Sequence, residues 1–110
     1  MDKTVNKAIN EFILKAAELN PNLITTYLFG SFAKDQERPE SDIDIALIID
    51  GLKDEERFDL QVNLMLIASQ YDSRIEPHPL SGNDFFSGNP FISEIKKTGI
   101  EIKPQNLTLQ

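Results

Sequence analysis

Val5, Ile9, Phe12, Ile13, Ala16 and Leu19 recur at helical spacing across residues 4–19, and Asn20-Pro21 closes the run. That pattern predicts a helix with this set facing a core. Leu-Ile-Thr-Thr-Tyr-Leu-Phe (23–29) is β-branched and aromatic, which predicts a strand. Gly30-Ser31 breaks it, a short helical turn follows over residues 31–35, and the polar stretch 37–41 reads as a surface loop. Residues 42–50, Asp-Ile-Asp-Ile-Ala-Leu-Ile-Ile-Asp, form the second predicted strand. A helix over 53–70 is expected to bury Phe58, Val62, Met65, Leu66 and Ser69. The segment 73–80 reads as a third strand that leaves the sheet early or lies at its edge, because it holds Pro77 and Pro79. Residues 81–88 read as a loop whose Phe85 and Phe86 need a home. Asn89-Pro90 caps a short helix closed by Gly99, and Ile100–Ile102 is a last small strand. The order predicts one two-layer α/β (α+β) domain over residues 1–110, with a small mixed sheet packed against helices.

Composition narrows the chemistry. With no cysteine there is neither a disulfide framework nor a thiolate zinc site, and one histidine excludes a histidine-rich metal centre. A metal here is expected on oxygen ligands, which suits Mg²⁺. A net charge of −7 disfavours direct nucleic-acid binding and is compatible with a basic protein partner. No apolar run approaches the ~20 residues of a membrane span, and the first residues lack a signal-peptide core, so the expected location is the cytoplasm.

Asp42 and Asp44 need an explanation. Side chains two apart on a strand share a face, so Asp42, Asp44, Ala46 and Ile48 lie on one side. Ile43, Ile45, Leu47 and Ile49 lie on the other, which is wholly apolar. The carboxylates therefore sit at one rim of the sheet and repel each other unless a cation neutralises them; paired divalent ions are a common device of phosphoryl transfer. Read alone, an Asp-x-Asp is a solvated pair at the start of a strand. Upstream, Gly30-Ser31 at the end of a strand offers backbone N–H groups and a hydroxyl suited to a phosphate.

Gly30-Ser31, ten intervening residues and Asp42-Ile43-Asp44 resemble the signature of the DNA polymerase β-like nucleotidyltransferase superfamily. The short chain resembles its minimal nucleotidyltransferase branch, often paired with HEPN-domain proteins, and the likeness covers about residues 23–102. The resemblance implies that Gly30 and Ser31 hold the triphosphate of ATP and that Asp42 and Asp44 bind Mg²⁺. It also implies a third carboxylate on a neighbouring strand that ligates metal and helps deprotonate the attacking hydroxyl. Glu76 is the candidate and Asp72 the runner-up. At the position where members often carry a second glycine stands Asp35, which Lys34 or Arg38 would offset. His78 reads either as a nucleotide contact or as a structural residue. Phe85, Phe86 and Phe91 read as a shelf for a base, as core, or as partner surface.

Three functions follow from the resemblance. The first is transfer of AMP from ATP to a hydroxyl on a partner protein, the chain being the antitoxin that adenylylates a HEPN-type toxin, since 110 residues leave no room for an acceptor domain. The second is a small-molecule nucleotidyltransferase of the aminoglycoside-modifying type, working as an oligomer. The third is a module that masks its partner without catalysis.

Overall fold

The computed structural model describes residues 3–33, 38 and 41–107. Its elements run α1 (Lys3–Leu19), β1 (Leu23–Phe29), β2 (Ile43–Ile49), α2 (Asp54–Ala68), β3 (Ile75–Ser81), α3 (Gly82–Phe85), α4 (Pro90–Thr98) and β4 (Ile100–Ile102), followed by a 3₁₀ turn at Pro104–Asn106. The four strands form one mixed sheet in the order β3-β2-β1-β4. β1 is antiparallel to both β2 and β4, while β2 and β3 are parallel and joined by α2. The expected α/β architecture with a small mixed sheet is present.

The main core lies between the sheet and the first two helices. Ile43, Ile45, Leu47 and Ile49 point into it, and α1 contributes Val5, Ile9, Phe12, Ile13 and Ala16. Leu19, expected on the same face, is instead exposed. A second, smaller cluster occupies the other side of the sheet, where Ala46 and Ile48 meet Phe85, Ile92 and Ile95 of α3 and α4. The alternation read in residues 42–49 thus divides the two cores correctly.

Two local expectations are corrected, and for β3 the edge position is the one of its two expected readings that holds. The helix over 53–70 does not bury Phe58, Val62, Met65, Leu66 and Ser69; all five are exposed. α2 carries two apolar stripes, and the one that reaches the core is Leu60, Leu64, Ile67 and Ala68. Residues 81–88 are not wholly loop: Ser81 caps α3 by accepting the N–H of Asp84 at 3.0 Å. β3 pairs with β2 along its whole length and lies at the edge of the sheet, so its prolines mark the edge rather than an early exit. There the side chain of Gln61 donates to the carbonyl of Pro77 at 3.0 Å. The turn begun at Ser31 continues through Ala33. Lys34 and Asp35, with most of the loop 37–41, lie outside the described residues.

Candidate active site

The end of β1 and the starts of β2 and β3 converge at one rim of the sheet. Phe29 is opposite Asp44 in the antiparallel register, and Asp44 is opposite Glu76 in the parallel one. In-register neighbours on adjacent strands lie about 4.8 Å apart, with their side chains on the same face. Pairing alone therefore brings together two carboxylates 32 residues apart in sequence. Ligand atoms of Asp44, Glu76 and His78 all lie within 4.8 Å of one another. His78 Nε2 is 3.0 Å from Asp44 Oδ1 and 3.9 Å from Glu76 Oε1.

Asp42 is exposed just before β2. Partial burial raises the Glu76 carboxyl above the ordinary glutamate range, His78 pulls it back, and the hydrogen bond that protonated Glu76 donates to Asp42, with the charges of Asp44 and Asp42, pushes it up again. An imidazole nitrogen and two hard carboxylates form a donor set that fits a divalent cation. This candidate set places one nitrogen beside the oxygen ligands expected from the sequence.

Gly30 stands against this cluster. Its φ of +76° suits glycine, and a Cβ there would lie 2.5 Å from Asp44 Oδ2. The turn at Gly30-Ser31 consequently sits directly beside the Asp44 carboxylate. Asp72, by contrast, is committed elsewhere. Its carboxylate accepts the Arg74 guanidinium at 3.1 and 2.8 Å and the Arg74 N–H at 2.9 Å, and these hydrogen bonds hold its pKa down. It belongs to the turn before β3 and not to the cluster. Arg38 is exposed and is tied to Ser41 through backbone N–H and carbonyl.

His78 is the residue whose place sequence reasoning left open. Two positions after Glu76 on a strand, it shares that residue's face, which was the available signal. The Phe29 ring packs 5.1 Å from the His78 ring, and Phe91 meets Phe29 edge-on at 5.9 Å. Phe91 and Phe86 are exposed, while Phe85 is buried in the second core with the Lys96 ammonium 4.1 Å from its centroid. The three aromatics therefore do not make one shelf.

The family model described as "Polymerase beta, Nucleotidyltransferase" matches residues 11–106. The chain belongs to the polymerase β nucleotidyltransferase family. A structure of a candidate nucleotidyltransferase from Sulfolobus solfataricus has the same fold, with a TM-score of 0.63 at 21% identity, covering 99% of this chain and 95% of that one. A toxin–antitoxin structure with AMP-PNP is similar at TM-score 0.57 and 27% identity over 84% of this chain and 70% of that one. A mutant MntA-HpeT toxin–antitoxin structure gives 0.54 and 28%, over 82% and 68%. No functionally curated protein matches the chain. In this member of the polymerase β nucleotidyltransferase family, the rim just described brings Asp44, Glu76 and His78 together. Among the described residues, no helix is long and apolar enough to cross a membrane.

Proposed function

We propose that the chain transfers AMP from ATP to a hydroxyl of a partner protein, acting as the antitoxin of a HEPN-type toxin that it adenylylates. The observation that carries this reading is the in-register pair Asp44 and Glu76 at a rim bounded by Gly30-Ser31. The likeness to toxin–antitoxin structures, one of them with AMP-PNP, supports the partner and nucleotide class.

Asp42, Asp44 and Glu76 would hold Mg²⁺, with His78 close enough to join them or to orient Asp44. Bound there, the cation would neutralise phosphate charge and polarise the α-phosphate. Gly30 and Ser31 offer N–H groups and a hydroxyl to the triphosphate. The partner's hydroxyl oxygen attacks the α-phosphorus, the bond to the bridging oxygen breaks, and pyrophosphate leaves. Glu76, held above the ordinary carboxylate range, accepts the hydroxyl proton.

The decisive experiment incubates the protein with α-labelled ATP, Mg²⁺ and a co-expressed HEPN-type toxin, and then locates the label. Wild type should label the toxin; Asp42→Asn with Asp44→Asn should not, while retaining the wild-type circular dichroism spectrum. Mn²⁺ binding followed by electron paramagnetic resonance should be lost in the same variant. Full labelling by the double variant would overturn the assignment.

A further inference from the structure

α2 has a second apolar face that none of the described residues covers. Phe58, Val62, Met65 and Leu66 occur at i, i+4, i+7 and i+8, one stripe of a helix, and are 73%, 40%, 49% and 63% exposed. The stripe opposite, Leu60, Leu64, Ile67 and Ala68, already fills the core. A helix that is apolar on both sides belongs in a buried setting on both sides. Leu66 also borders an open groove of about 410 Å³ between the end of α1 and α2, lined by Leu19, Leu60 and Ile67 among others. Leu19 is itself exposed, so the patch runs from α2 onto α1. Contiguous exposed apolar surface of this kind marks association sites.

Charge identifies what docks there. Asp54, Glu55 and Glu56 fill the first turn of α2, and Asp59 follows one position after Phe58. All four are exposed. The one basic side chain of the helix, Arg57, pairs with Asp54 and with Asp84 of α3, at 3.1 and 3.0 Å. With Asp54 taken by Arg57 and Glu56 turned to the Lys53 N–H, the exposed acids that flank the N-terminal half of the stripe are Glu55 and Asp59, on a chain of net charge −7. A second copy would bring the same excess of negative charge to the contact. We infer that the Phe58–Val62–Met65–Leu66 face of α2 is the docking surface for a different protein, one that presents an apolar helical stripe flanked by Lys or Arg. The inference rests on the proposed action on a partner protein and adds where that partner sits.

The location has a consequence for the reaction. α2 packs on the Ile43, Ile45, Leu47 and Ile49 side of the sheet, whereas Asp44 and Glu76 face the other side. A partner held on α2 leaves the rim open to nucleotide, and holding it there raises the local concentration of its acceptor hydroxyl.

The test uses a synthetic amphipathic helix of about five turns (~18 residues) with a Leu stripe flanked by Lys, and a twin flanked by Glu. Calorimetric titration of the wild-type chain should show binding of the Lys-flanked peptide, at least ~10-fold tighter than the twin. Phe58→Ala with Leu66→Ala should weaken it by roughly 30-fold. Asp59→Lys, a surface change that leaves the apolar stripe intact, should narrow the preference between the peptides. Amide shifts on binding should map to α2 and the end of α1. Equal binding of both peptides, or undiminished binding by the double variant, would overturn the inference. So would a wild-type dimer in light scattering that the double variant reduces to monomer, because the occupant would then be a second copy. Labelling of the toxin separates the two proposals. Peptide binding on α2 with no labelled toxin rejects the transferase reading alone. Full labelling of the toxin by the double variant rejects the docking surface alone.

Discussion

Glu76 carries the clearest physical signature of the rim. Its carboxyl is raised in the folded chain by burial and by the neighbouring acids, so the unfolded chain ionises it first as pH rises. Between those two ionisations the folded state binds more protons, and stability falls as pH climbs past the ordinary glutamate range. Glu76→Gln removes the penalty. Its melting temperature relative to wild type should therefore rise as pH climbs past the ordinary glutamate range. A gap that stays constant with pH would show that Glu76 is not crowded. If Glu76 also accepts the proton, the same variant should keep ATP affinity and slow transfer by roughly 10²–10⁴-fold. Gly30 is constrained differently. Gly30→Val meets both a positive φ and the Asp44 carboxylate at 2.5 Å, so it should cost about 1–3 kcal/mol in urea unfolding and weaken Mn²⁺ binding by displacing Asp44. Wild-type Mn²⁺ affinity in that variant would argue that the glycine is present for the turn alone.

At the scale of elements, α2 is the informative one. Its first turn is acidic, which complements the helix dipole, and the Glu56 carboxylate accepts the Lys53 N–H at 3.2 Å. These local terms set the start of the helix but not which of its two stripes turns inward. Packing decides that: Leu64 is fully buried and Leu66 is not. Leu64→Ala should accordingly lower stability by about 2–5 kcal/mol through the cavity it leaves. Leu66→Ala in the isolated chain should change it by no more than about 0.5 kcal/mol. Denaturant melts of the two variants read the difference directly, and comparable losses would mean that both faces are buried in solution.

For the whole molecule, the order β3-β2-β1-β4 places β2 centrally, with β1 on one side and β3 on the other and apolar clusters on both faces. Local opening exposes edges before centres. Amide exchange should be slowest across Ile43–Ile49 and faster in β4, which is three residues long and lies at the far edge. Fast exchange in β2 would contradict the stated topology. The same arrangement separates two surfaces: an acidic rim on one side of the sheet and an apolar helix face on the other.

Local chemistry determined a large part of this. Strand alternation in 42–49 separated core from rim because the period of two is set by the backbone itself. The caps at Asn89-Pro90 and the breaks at Gly30 and Gly51 are likewise matters of a few neighbouring residues. Gly30-Ser31 and Asp42-x-Asp44 were legible as a spacing, and Glu76 as a carboxylate on the third strand. What sequence could not decide were choices between equivalent local patterns. α2 has two apolar stripes of the same period, and only contact with Ile43, Ile45 and the α1 face selects Leu64 over Leu66. Asp72 and Glu76 are both acids near one strand. The Arg74 guanidinium removes the first, and the parallel register with β2 brings the second to Asp44. His78 reaches Asp44 by that same register, a pairing across 34 residues that no local propensity encodes.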